Sequence, residues 1–120
     1  MDDEYNWLSF ESVPSITLSK LQAIVGGHIE LLAKEEEEEE GGCKVKFDGY
    51  ANETGFCDQM TSNDLAGGAL MQLGFIPSIG CKYYGPVVCV GEEKGGVISG
   101  LTEKECAQLL KAVDDFRNLE

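Results

Sequence analysis

A single histidine, His28, limits the acid–base and nucleophilic chemistry open to this sequence. A Cys–His or Ser–His couple needs an imidazole within hydrogen-bond reach of its nucleophile, so any such couple must use His28. Glu30 and Glu53 are its candidate acid–base partners, and Cys57 is the candidate thiol nucleophile. A small enzyme working through His28, Glu30 and Glu53, or through Cys57, is therefore one reading. His28 also follows Gly26 and Gly27 directly, which reads equally as a strand residue beside a glycine turn. A reactive thiol needs a nearby cation or helix start to depress its pKa, and no sequence neighbour of Cys57 supplies one.

The five cysteines are odd in number and contain no C-x-x-C pair. Structural zinc draws on closely spaced pairs, so the expectation is no metal and no cofactor. Cys43 and Cys89 sit in strand-like alternation and Cys106 lies on a helical apolar stripe, which reads as core packing. There is no P-loop, dinucleotide fingerprint, G-x-S-x-G elbow or H-E-x-x-H run. The 22 acidic residues outnumber the 9 basic ones, for a net charge of −13. Phosphate contacts need Lys and Arg, so direct nucleic-acid binding is not expected. No run reaches the length of a membrane span, and the first dozen residues are acidic, unlike a signal peptide. The expected setting is intracellular and cytoplasmic, with reduced thiols.

The elements that must position these residues follow from periodicity. The 120 residues fit a single domain over 1–120. Residues 5–10 are aromatic enough for a strand, with Pro14 closing it. Leu18, Leu21, Ile24 and Val25 recur at helical spacing; Thr17 or Ser19 can cap this helix, and Gly26 ends it. A strand over 28–34 places Ile29, Leu31 and Ala33 on one face. Cys43, Val45, Phe47 and Gly49 alternate with polar positions in a second strand, joined to the first as a hairpin. Its connection, residues 35–42, carries a run of glutamates and reads as an acidic solvated loop. Residues 51–55 read as a turn. Ser62, Asn63 and Asp64 can cap a short helix through Leu65, Leu70 and Leu73 that Gly67 and Gly68 weaken, so the segment reads as a short helix or a structured loop. Residues 83–90 carry an apolar run fit for a central strand or one covered on both faces. Residues 91–100 read as a loop. Residues 101–119 form the clearest helix, with Thr102 and Glu105 as a capping box and an apolar stripe that must cover a sheet or a partner. The fold class is α+β: a small, mostly antiparallel sheet with a short N-terminal helix and a longer C-terminal helix packed on it.

Three stretches taken in order carry a resemblance. They are Leu21-Gln22-Ala23-Ile24-Val25-Gly26-Gly27-His28-Ile29-Glu30, then Asn52-Glu53-Thr54-Gly55 with Asn63 and Ala66, then Gly85-Pro86-Val87-Val88-Cys89-Val90-Gly91 followed by Leu101-Thr102. Together they resemble the family known as domain of unknown function 3846, small proteins of bacteria, phages and mobile elements with relatives in algae and large viruses. The resemblance implies a small α+β domain and no established activity. The chain departs from it in residues 5–13, in the glutamate-rich loop and in its longer C-terminal helix. If the family binds a ligand, the implied contacts are polar groups projecting from its turns: Glu30, Asn52, Glu53 and Asn63.

The leading functional expectation is a non-enzymatic binding or regulatory module with an unknown protein or small-molecule partner. The acidic surface steers basic partners, and imitation of nucleic acid is one version of this. The small enzyme and an oligomeric structural or interaction protein, pairing through the C-terminal helix or a strand edge, are the alternatives.

Overall fold

The structure, a computed structural model, describes residues 8–11, 14–35, 45–55, 57–77 and 82–119. Local capping sets the helices. Thr17 is extended, and its side chain accepts a hydrogen bond from the Lys20 N–H at 3.1 Å, which starts helix α1 (Leu18–Val25). Gly26 enters the left-handed region at φ +82° and closes the helix onto the Gln22 carbonyl. Thr17 rather than Ser19 is the cap. Only Leu21 and Val25 of the expected stripe are buried, because the helix offers one narrow i, i+4 face to the sheet beside it; Leu18 and Ile24 remain exposed.

The central sheet has the order β2-β3-β4 and is antiparallel throughout. Strand β2 (Ile29–Leu31) pairs with β3 (Asp48–Asn52) as the expected hairpin. Strand β4 (Val88–Val90) forms the other edge. Both faces of β3 are covered. Tyr50 joins Leu21 and Val90 in a smaller core, flanked by Ile16, Ile29, Val88 and Ile98. Ala51 turns the other way, into a larger core with Phe47, Leu70, Phe75 and Val113.

This two-sided burial explains where the strand readings depart from the structure. The alternation over 43–50 marks a half-buried strand, yet the strand is Asp48–Asn52 and its last four residues are all buried. Val45 and Phe47 are buried and Lys46 is exposed, but these positions precede the strand, and Cys43 lies outside the described residues. The expected turn at 51–55 starts later, because Ala51 and Asn52 still belong to β3. In β2, Ile29 packs on the smaller core, but Leu31 is 55% exposed and Ala33 is also exposed. Leu32 points into the larger core instead. The run in β4 reflects coverage on both faces: Val88 and Val90 meet the smaller core and Cys89 meets the larger.

A second antiparallel sheet has the order β1-β6-β5, formed by β1 (Ser15–Ile16), β5 (Glu93–Lys94) and β6 (Val97–Ser99). The expected loop at 91–100 is thus a hairpin. Gly95 and Gly96 take φ +58° and +81°, the paired positive angles of a two-residue turn whose twist matches its strands. The glycine pair between two short extended runs is the signal for it. A short strand, β1, lies just beyond Pro14; of the strand expected over 5–10, residues 8–10 have no regular structure and 5–7 lie outside the described residues. Of the acidic loop, Glu35 donates its N–H to the Gly74 carbonyl at 2.8 Å, and residues 36–42 lie outside the described set.

Helix α2 (Asp64–Gln72) is capped by Asn63, and α3 (Glu103–Arg117) begins with the expected Thr102–Glu105 capping box. The α3 stripe buries Leu109, Ala112 and Val113, whereas Leu110 is exposed. α3 lies along α2 and shares with it the larger core behind β3. Gly68 makes this approach possible, since a Cβ there would stand 2.1 Å from the Phe116 ring. The fold class is α+β, with the longer helix at the C-terminal end.

Burial separates the thiols. Cys57 is exposed, whereas burial pushes the Cys89 thiol from 9.0 up to about 12. A thiol reagent at pH 8 should therefore modify Cys57 at once and Cys89, whose thiol keeps its proton at that pH, far more slowly. The raised value makes the folded state hold a proton that the unfolded state releases. This contribution to stability is complete below pH 9 and is lost as pH rises towards about 12, so Cys89→Ala should flatten the alkaline fall in unfolding free energy.

Candidate functional site

The β2–β3 register gathers the acid–base candidates. Glu30 stands opposite Ala51, and the Glu53 N–H donates to the His28 carbonyl at 2.9 Å. Opposite residues share a face, as do residues two apart on one strand. His28, Glu30 and Glu53 therefore lie on the same side of the hairpin, and all three are exposed.

Beside Glu30 and Glu53 is a cleft of about 110 Å³, which Cys57, Ile76, Lys82 and Tyr83 also line. It is small against the roughly 300–1,000 Å³ of ordinary ligand pockets, and suits a side-chain-sized group. Leu32 and Ala51 contribute apolar wall. The Lys82 ammonium is 3.8 Å from Asp64, which is not part of the cleft.

Asn52 and Asn63 have different work from that expected of turn residues projecting outward. Asn52 is buried. Its Nδ2 donates to the Val25 carbonyl at the end of α1, at 3.1 Å. Its Oδ1 accepts from the Thr54 N–H at 2.8 Å. Gly27 leaves room for this amide, because a Cβ there would lie 2.9 Å from Nδ2. Asn63 is buried too: its Oδ1 accepts from Ala66 N–H and its Nδ2 donates to the Gly85 carbonyl, both at 3.0 Å. Both amides join backbone segments far apart in sequence. The cleft thus brings together Glu30, Asn52, Glu53 and Cys57; Asn63 and His28 are not among its walls.

Tyr83 is the residue that sequence reading missed. It is 5% exposed, and its hydroxyl is buried with no hydrogen-bond partner. Burial raises its ionisation well above the usual phenol range, with Cys89 and Glu30 adding to the shift, so the phenol keeps its proton. Tyr83, Val87 and Cys89 all pack in the larger core, although Gly85 at φ +83° interrupts the strand expected over 83–90 and only Val88–Val90 forms β4. The apolar run was readable in the sequence; the missing partner was not.

Among the described residues, no three His, Cys, Asp or Glu side chains form a group that could hold a metal ion. Nor is any described helix long and apolar enough to cross a membrane. The chain matches no protein-family model, no curated protein and no solved structure.

Proposed function

We propose that this protein is a binding or regulatory module, without catalysis, that receives its partner at the cleft beside β2. One observation carries the reading: two exposed glutamates, Glu30 and Glu53, line a cleft together with Tyr83, whose hydroxyl is buried beneath it without a hydrogen-bond partner. Such a group costs stability unless something completes it. The test is a thermal-melt screen of metals, nucleotides, sugars, amino acids and common metabolites. A ligand at a hundred times its dissociation constant adds about 2.7 kcal/mol. The expected result is a saturable rise in Tm that Glu30→Ala with Glu53→Ala removes. A rise that persists in the double variant places binding elsewhere and overturns the reading.

A second reading is the small enzyme, favoured by the register that sets His28 opposite Glu53 and on the face of Glu30. Turnover that survives both His28→Ala and Cys57→Ser would dispose of it. The proposed kinship to the domain of unknown function 3846 family rests on the order of the three sequence stretches, 21–30, 52–66 and 85–102.

A further inference from the structure

We infer that the cleft binds an alkylammonium group, a primary amine on a short apolar stem such as a lysine side chain carries. This rests on the cleft being the binding site. Charge points first to a cation. Glu30 and Glu53 both line the cleft, and the one lysine among its described lining residues, Lys82, has its ammonium 3.8 Å from Asp64. Two further polar side chains of the cleft are already engaged. Asn52 holds Val25 and Thr54, and the Thr54 hydroxyl donates to Asp58 at 2.7 Å.

Tyr83 supplies the second, independent observation. Tyr83 is among the residues that line the cleft, it is almost wholly buried, and its hydroxyl has no partner. A protonated phenol keeps oxygen lone pairs that can accept from an ammonium N–H. The hydroxyl lies beneath the surface, so a ligand reaches it by displacing rim side chains. Glu30, Leu31 and Ile76 are exposed there. Leu32 and Ala51 provide the apolar wall that a methylene stem prefers. A desolvated ammonium needs charged or hydrogen-bonding compensation, and two carboxylates with one hydroxyl meet that need.

The experiment is an amide-resonance titration of the full, isotope-labelled chain at fixed salt. The probes are n-butylammonium, the peptide acetyl-Gly-Lys-Gly-amide, n-butanol and butyrate. Both amines should shift Leu32, Ala51, Thr54 and Tyr83 saturably, while butanol and butyrate at equal concentration do not. Tighter binding of the peptide assigns the amine to a lysine of a protein partner; tighter binding of butylammonium assigns it to a free amine. Glu30→Gln with Glu53→Gln should weaken amine binding at least about tenfold, as loss of charge-assisted bonds does. Tyr83→Phe removes no hydrogen bond, so it should hold or raise Tm while weakening the amine severalfold.

Equal shifts from butanol overturn the amine and leave the cleft as a binding site. Shifts from butyrate alone do the same. Silence of the cleft resonances to every probe overturns both inferences. Amine shifts confined to residues 35–40 show diffuse attraction to the glutamate run and overturn the site. A fall in Tm for Tyr83→Phe makes the hydroxyl structural and removes it from the inference.

Discussion

Replacing Asn52 with alanine should lower the unfolding free energy by about 3 kcal/mol, read as a lower urea midpoint at unchanged slope. The residue is buried and its amide ties three segments together: the end of α1 through Val25, the end of β3, and the turn through Thr54. Alanine strands the Val25 carbonyl and the Thr54 N–H. Each buried orphan costs about 1–3 kcal/mol, and the exposed Thr54 recovers part of its share from water. Gly27→Ala should reproduce part of the loss by a different route. Its Cβ would press on the Asn52 amide at 2.9 Å and push Nδ2 away from Val25. With Asn52 already replaced, that push has nothing to displace. The double-mutant cycle should therefore show coupling of about 1 kcal/mol. A Gly27→Ala cost that is equal in both backgrounds would refute the latch. Since Asn52 immediately precedes Glu53, loosening it should also displace the rim of the cleft.

Replacing Lys34 with methionine should cost about 2 kcal/mol, between the value of a surface pair and that of a fully buried one. Lys34 lies just past β2, opposite Phe75. Its ammonium is 2.9 Å from the Asp48 carboxylate and donates to the Phe47 carbonyl at 3.1 Å. It also sits 5.9 Å from the Phe75 ring centroid, within cation–π range. The two side chains are only 19% and 15% exposed, so Asp48 left alone is a poorly solvated charge. Glu92, at 3.9 Å, adds a longer and more exposed contact. The greater part of the loss comes from the stranded carboxylate rather than from the lost attraction. Asp48→Asn on the methionine background should then recover stability in urea denaturation. A double variant no more stable than Lys34→Met would show that stranded charge is not the cause.

The glycines and asparagines of the three sequence stretches also fit one another in space. Gly26 and Gly27 end α1 and admit Asn52; Gly55 brings its backbone against the Tyr84 carbonyl, where a Cβ would come within 2.8 Å. Asn63 caps α2 and holds Gly85. The motif reads as binding chemistry in the sequence because asparagine and glycine mark exposed turns. Here two of its four polar candidates, Asn52 and Asn63, face inward, and Glu30 and Glu53 face the cleft. A side chain's partner is a property of the segment that arrives beside it, and neither Val25 nor Gly85 is near its asparagine in sequence.

By itself the sequence determined the α+β class, the start of α3, the end of α1, the cap of α2 and the β2–β3 hairpin, and narrowed the start of α1 to Thr17 or Ser19. Those features depend on hydrogen bonds and side-chain periodicity within a few residues, as Thr17 with Lys20 and Thr102 with Glu105 illustrate. Only the tertiary structure decided that β3 is covered on both faces, that α3 lies along α2 over Gly68, and that β1 pairs with β6. It alone set Tyr83 beside Glu30 and Glu53 with its hydroxyl unsatisfied. The physical reason is range: caps and turns are satisfied locally, whereas burial depends on which distant surfaces the whole chain brings together.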